Sequence, residues 1–290
     1  MTDATADASP SAAHPERLDD EEIARRRRAR FERIARWVMP VLSLAASIGA
    51  WEWYVRAWDV KPYILPGPVR VAEAIGTDWE LLAAAAAVTL TTTFSALALA
   101  ILLGVGLAVL FTLSRSAELT FSPYAVFLQV MPVIAVAPLI NIYIDDLFAK
   151  TLVCAWIVAF FPILSNTSIG LKSVDHNLRD LFQIYGASGV QRLWLLQLPS
   201  ALPYFLGGLR IAGGLSLIGA IVAEFVIGTG GRGAGLAFTL LEASYRLKIP
   251  RMFAAVALIC VVGLCIFALT SILSNLLLRR WHESAIKRES

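Results

Sequence analysis

Four stretches of this chain carry no charged residue at all: Leu81 to Ser114, Leu119 to Ile144, Thr151 to Leu171 and Met252 to Leu278, each at least 21 residues long. A helix rises about 1.5 Å per residue, so about 20 residues cross the ~30 Å hydrocarbon layer of a bilayer. Lipid offers no partner to a backbone N–H or C=O, which leaves helices and closed barrels as the only spanning structures. Barrel strands alternate in polarity over about 10 residues, whereas these runs are continuous and long, so they read as helices. Two further spans carry one or two charges: Trp37 to Val55, with Glu52 near its end, and about Leu202 to Ile227, with Arg210 and Glu224. The expected fold is all-α, integral to a membrane, with six transmembrane helices. Composition agrees, because only 16% of residues are charged and 58% are hydrophobic, against about 25% charged in a soluble globule.

Orientation follows from the basic residues, which stay preferentially on the cytoplasmic side of the spans they flank. With the N-terminus inside, sixteen Lys and Arg fall in cytoplasmic segments and eight on the other face. Both termini are therefore expected in the cytoplasm. Residues 1–36 read as a disordered tail followed by a basic juxtamembrane segment, residues 37–280 as the transmembrane domain and residues 281–290 as a cytoplasmic tail. The run Arg25 to Arg28 with Arg30, Arg33 and Arg36 resembles a nucleic-acid patch, but next to a span it reads more simply as a topology signal. A signal peptide is disfavoured, since Trp51, Glu52 and Trp53 stand where a small-residue cleavage site is needed.

The longest cytoplasmic connection, Lys172 to Ser200, is neither random nor simply polar. Asp175 is suited to cap a first short helix, and Gly186 to end it in the left-handed conformation. Ser188 with Gln191 forms a capping box for a second helix, which Pro199 is expected to close. Leu178, Leu181, Phe182 and Tyr185 in the first, with Leu193, Trp194, Leu196 and Leu198 in the second, make more apolar surface than a solvated loop needs. A partner must cover it, unless the loop is merely interfacial.

Asp180, five intervening residues, Gly186, and twelve more before Pro199 resemble the cytoplasmic signature E-A-A-x3-G-x9-I-x-L-P of ATP-binding-cassette importer permeases. The spacing matches throughout. The departures are Asp180 for Glu, Leu181 and Phe182 for the two alanines, and Leu196 for Ile. The flanking segments ILPGPVRVAEAI at 64–75, FFPILSNTSIGL at 160–171, LPYFLGGLRIA at 202–212 and IVAEFVIGTGGRGAGLAF at 221–238 are similar to the nitrate, sulfonate, taurine and pyrimidine-precursor branch. The resemblance covers about residues 60–280.

That resemblance implies a type I importer fold in which the loop docks as a coupling helix in a cytoplasmic ATPase subunit. The coupling residues it implies are Asp180, Leu181, Phe182, Gly186, Leu196, Leu198 and Pro199. It also implies a homodimer, two ATPase subunits holding ATP and Mg, an extracytoplasmic binding protein, and the bacterial inner membrane. No cofactor and no nucleic acid are expected for this chain itself. The segments around AEFVIG and FFPILSNT lean towards pyrimidine precursors among the possible solutes.

Ionisable and polar groups inside the membrane are costly and mark candidate sites. Gln129, Pro132, Asn166 and Glu224 are the candidates for pathway or gate, with Pro138, Pro162, Asn141 and Thr167 beside them; the three prolines free backbone carbonyls and allow bends, which suit a gate. Glu224 falls near the outer mouth with the Gly-rich turn Gly228 to Gly235, where pairing with Arg232 is an equal alternative. Arg210 lies about 12 Å along its helix from the cytoplasmic end, so snorkelling or a helix contact is favoured over substrate binding. Gly228, Gly230 and Gly233 match G-x-G-x-x-G formally, but the preceding run is a membrane span and no βαβ unit follows. The chain has no G-x-x-x-x-G-K-[ST] phosphate loop, so ATP hydrolysis is expected in a partner. The isolated His14, His176 and His282, with Cys154, Cys260 and Cys265, offer no metal-ligand spacing. An ion-coupled secondary transporter or channel is the rival reading, and an integral-membrane enzyme a third.

Overall fold

A computed structural model describes residues 38–228 and 233–278. The tail and basic segment 1–36, Arg232 and the tail 281–290 lie outside the described residues. The chain divides after Val60 into two units. The first contains one helix, α1 (Val38–Ala57), long and apolar enough to cross a membrane.

The second unit begins with a short amphipathic helix, α2 (Pro68–Thr77), whose Pro68 occupies the first turn, where a missing N–H costs nothing. Then follow α3 (Trp79–Leu113), α4 (Arg115–Val130), α5 (Val133–Tyr143), α6 (Leu147–Lys172), α7 (His176–Ile184), α8 (Gly189–Arg192), α9 (Leu198–Ile227), α10 (Leu236–Tyr245) and α11 (Ile249–Leu278). No strand occurs among the described residues. The starts of α4 and α6 are capped by the side chains of Ser114 and Asp146, which accept from the backbone N–H groups of Ala117 and Ala149. Such caps satisfy two donors that would otherwise end a helix unpaired.

The core is built on α3, α6 and α9. In lipid, close packing and hydrogen bonding, rather than water exclusion, hold helices together, and small residues let backbones approach. The α6–α9 contact follows this rule at three levels: Gly170 against Ala201, Gly208 against Asn166 and the carbonyl of Pro162, and Gly219 against Ala155. A Cβ on any of these glycines would come within about 2.8 Å of its neighbour. The partners' numbers rise on one helix as they fall on the other, so α6 and α9 are antiparallel. Ala96 packs with Ala155, and Gly104 with Ile163, so α3 and α6 run in step and are parallel.

Two parallel helices require the intervening chain to recross. The recrossing segment is the run Leu119 to Ile144, expected as one span in which Pro132 allows a bend. It is α4 and α5, bent by 104° at Met131–Pro132. Pro132, expected within a span, instead occupies the N-cap of α5. Proline disfavours a helical conformation in the residue before it, and Met131 is accordingly extended (φ −66°, ψ 119°). With the bent pair taken as one traverse, six candidate crossings result.

The loop between α6 and α9 also departs from expectation. Pro199 does not close a second loop helix. The chain runs from α8 through a π-helical turn, Leu193–Gln197, straight into α9. The N–H of Leu198 reaches back to the carbonyl of Leu193, one residue further than in an α-helix. This wider turn accommodates the N–H that Pro199 lacks. Residues 189–227 thus form one helix of 39 residues, about 58 Å long and nearly twice the thickness of the hydrocarbon layer.

Candidate functional site

The expected turn chemistry of the loop is present. The Asp175 carboxylate accepts from the N–H of Asn177 at 2.9 Å to start α7. Gly186 ends it at φ +68°, with its N–H on the carbonyl of Gln183 and that of Ala187 on Phe182. These two bonds define a Schellman cap, for which glycine is preferred because it has no Cβ to clash in the left-handed region. Ser188 and Gln191 form the reciprocal capping box at 2.8 and 3.2 Å. The two helices therefore meet at a geometrically determined corner.

The expected outward apolar surface is divided in two. No residue of α7 is buried. It exposes Leu178, Leu181, Ile184 and Tyr185, the last two at 81% and 82%. Asp180 is exposed and Phe182 half-buried on the same helix. Leu193 and Leu196 instead turn inward, Leu193 packing with Phe160, Leu171 and Ala201, while Leu198 closes on the edge of that cluster. The outward members after the corner are Val190, Trp194 and Leu195. Sequence reasoning missed Ile184, Val190 and Leu195. The three- and four-residue spacing of Leu181, Ile184 and Tyr185 was the available signal.

The four pathway candidates occupy three places. Gln129 and Pro132 line a cavity of about 440 Å³ between the α4–α5 bend, α6 and α9. Its lining contains no charged residue, and Pro162 and Gly219 contribute to it. Asn166 is spent on helix packing: its amide donates to the carbonyl of Pro162 at 2.8 Å and its stem fills the gap over Gly208. Asn141 accepts from the ammonium of Lys150 at 2.9 Å. Arg210 lies 5.9 Å over the ring of Phe267 on α11, the helix contact expected from its depth.

Glu224 is 4% exposed and acts as a remote cap. One carboxylate oxygen accepts from the Thr89 hydroxyl at 2.7 Å and the other from the N–H of Ala237 at 2.9 Å. The Thr89 oxygen in turn accepts from the N–H of Leu236 at 2.9 Å. Three helices, α3, α9 and α10, are thereby tied at one point. Gly235 leaves the necessary room, since a Cβ there would overlap the carboxylate at 2.1 Å. The alternative partner, Arg232, lies outside the described residues.

No cluster of His, Cys, Asp and Glu capable of holding a metal occurs among the described residues. A bundle of apolar helices, a bent crossing that frames an uncharged cavity, and a capped two-helix corner at one end define a membrane-spanning transport subunit.

Comparison with known proteins agrees. Residues 100–282 match the family model described as binding-protein-dependent transport system inner membrane component. A probable ABC transporter permease protein of Haemophilus influenzae is 31% identical over 80% of this chain and 93% of its own length. The formylaminopyrimidine transport permease protein ThiX of Halalkalibacterium halodurans is 32% identical over 82% and 94%. The putative aliphatic sulfonates transport permease protein SsuC of Bacillus subtilis is 28% identical over 86% and 89%. Among solved structures, an amino acid ABC transporter shares the fold, with a TM-score of 0.58 at 19% identity, over 71% of this chain and 96% of that one. The chain belongs to the family of binding-protein-dependent transport system inner membrane components, the permease subunits of ATP-binding-cassette importers for small solutes.

Proposed function

We propose that this permease couples passage of its solute to a separate cytoplasmic ATPase through α7. The observation that carries the reading is an amphipathic helix with no buried residue, held rigidly by caps at both ends and joined by a tight corner to a 39-residue helix. The apolar face of α7 needs a cover that the described residues do not supply. A push on α7 passes through the Gly186 corner to α9, whose closest neighbour is α6, and displaces the walls of the cavity at the α4–α5 bend. Asp180, Leu181 and Phe182 make the contact, Gly186 forms the corner, and Leu196, Leu198 and Pro199 anchor the lever in the core.

The working assembly is two copies of this chain, two ATPase subunits that hold ATP and Mg, and an extracytoplasmic binding protein. It sits in the bacterial inner membrane with both termini of this chain in the cytoplasm. The solute is a small neutral heterocycle of the pyrimidine-precursor kind rather than a sulfonate or nitrate. Two observations support this: the uncharged lining of the cavity, and the stacking of Arg210 on Phe267 away from it. The formylaminopyrimidine permease among its relatives points the same way.

Ile184→Asp tests the coupling. Ile184 is 81% exposed, so the substitution leaves folding intact while placing a charge in the docked face. ATPase stimulation on co-reconstitution with the cassette subunit and loaded binding protein is expected to be lost. Stimulation equal to wild type would overturn the reading, as would uptake driven by an ion gradient without any ATPase.

A further inference from the structure

The break between α4 and α5 leaves polar backbone unpaired at membrane depth. Pro132 has no N–H, so the carbonyl of Leu128 loses the partner that a continuous helix supplies four residues on. Past the bend no side chain caps α5, so its first N–H groups, on Val133 and Ile134, have no intrahelical acceptor. Leu128, Val133 and Ile134 all line the cavity of about 440 Å³. Irregular backbone at this depth persists only where it is buried in protein or lines a water-filled cavity.

The cavity lies in the middle of the bundle. Its α6 wall begins at Ile157, ten residues or about 15 Å along a helix of 26 residues. Its α9 wall ends at Val222, five residues or about 7.5 Å before Ile227. The volume suits one ring with short substituents, at the low end of the roughly 300–1,000 Å³ usual for small-molecule sites.

Gln129 is the only residue of the described lining with a polar side chain. It is exposed rather than packed, and among the described residues its amide has no hydrogen-bond partner. Asn141 and Asn166, by contrast, are spent on Lys150 and on the Pro162 carbonyl. An amide at bilayer depth is costly unless paired, so the one that is left open at the cavity is available to a ligand.

The groups available there are of both kinds. The Leu128 carbonyl and the Gln129 Oε1 accept, while the Gln129 Nε2 and the N–H groups of Val133 and Ile134 donate. A sulfonate or nitrate uses only the donors and leaves the acceptors against its own charge. A neutral ring with an amine beside a ring nitrogen uses both, since a glutamine amide meets that edge with two parallel hydrogen bonds, as it does on adenine.

We propose that Gln129 is the specificity-determining residue of this cavity and reads the amine edge of an amino-heterocycle. Its Oε1 accepts from the exocyclic amine and its Nε2 donates to the adjacent ring nitrogen. The N–H groups at the start of α5 serve a further acceptor of the same solute, and Phe161 supplies an apolar wall for the ring. This role rests on the cavity being part of the solute path.

The test uses the full permease in nanodiscs, without ATPase or binding protein, and 4-amino-2-methylpyrimidine as the probe, with affinity read by saturation-transfer NMR titration. Wild type is expected to bind the probe, and to bind 2-methylpyrimidine, which lacks the amine, at least about tenfold more weakly. In Gln129→Leu, which should keep a cooperative melt, the two ligands should differ by less than about twofold. Gly207→Ala, outside the cavity lining, should keep the wild-type preference. No binding to wild type overturns the proposal before any variant is made. Equal affinity of wild type for the two rings overturns it too, as does a wild-type preference in Gln129→Leu, or displacement of the probe by an equal concentration of methanesulfonate or nitrate. A disulfide from Gln129→Cys to a second copy also overturns it, because the partner chain then fills the cavity. With neither ATPase nor binding protein present, the result is independent of coupling through α7, which Ile184→Asp tests separately.

Discussion

Replacing Gly235 by alanine should unfasten α10 from the bundle, and the size of the effect follows from the geometry. The backbone at Gly235 is extended, with φ −86° and ψ −176°, so alanine is acceptable there conformationally. The obstacle is the Glu224 carboxylate, whose oxygens lie 2.1 and 2.3 Å from where the new Cβ would stand. The carboxylate has to move aside by about an ångström or more to restore contact distance. In doing so it abandons the Thr89 hydroxyl and the Ala237 N–H, held at 2.7 and 2.9 Å. A buried donor left unpaired costs about 1–3 kcal/mol, so the loss is about 2–6 kcal/mol if neither bond is replaced.

The measurement is the thermal unfolding midpoint of the purified protein in one detergent, made as a cycle of Gly235→Ala, Glu224→Ala and the double variant. Once Glu224 is truncated the new methyl has nothing to displace, so Gly235→Ala should cost less than about 1 kcal/mol in that background. The coupling between the two sites is then about 1 kcal/mol or more. If the two substitutions simply add, the carboxylate is not what the glycine makes room for, and the tie between α3, α9 and α10 is misread.

Three shorter expectations concern other parts of the fold. At Gly208 a Cβ would stand 2.8 Å from the Pro162 carbonyl, while its neighbour Gly207 meets nothing within 4 Å; Gly208→Ala should destabilise by about 1–3 kcal/mol, and Gly207→Ala should stabilise by up to about 1 kcal/mol, measured by the same melts. Gly186→Asp puts a Cβ and a charge at φ +68° and should cost only about 1 kcal/mol of stability, yet abolish solute uptake while membrane insertion is retained; uptake at the wild-type rate would refute the role of the corner. Leu247 sits at φ +54° in the turn after α10 and is 76% exposed, so Leu247→Gly should raise the melting midpoint by the equivalent of about 0.5–1 kcal/mol.

Much of the loop was legible in the sequence because its signals are local. Asp175, Gly186 and the pair Ser188 and Gln191 act on backbone groups two or three residues away, so their spacing alone predicts the bonds they make. Pro199 misled because a proline states only that one N–H is missing. Whether the helix stops or widens by a π-turn depends on the burial of Leu193 among Phe160, Leu164 and Leu171 of α6, which no local pattern encodes. In the run from Leu119 to Ile144, Pro132 did mark where a bend is allowed. A proline does not say how large its bend is, and the 104° angle is seen only in the tertiary structure.

The candidate pathway residues divide in the same way. Their polarity within apolar runs singled out Gln129, Asn166 and Glu224, but polarity does not say which way a side chain faces. Asn166 is occupied by the α6–α9 contact, Glu224 by Thr89 and the start of α10, and only Gln129 of the three lines the cavity at the bend. Partners separated by 135 residues in the chain, as Glu224 and Thr89 are, leave no periodic trace.

Composition and charge spacing alone determined that this chain crosses a membrane as helices, because an uncharged run of sufficient length has no other stable way to satisfy its backbone in lipid. Local capping chemistry likewise determined the corner at Gly186. The tertiary structure decided which apolar residues of the loop face outward, how sharply the second uncharged run bends, and which buried acid ties three helices together. Those choices rest on contacts between segments far apart in sequence, whose energies are set by distance and burial in three dimensions rather than by spacing along the chain.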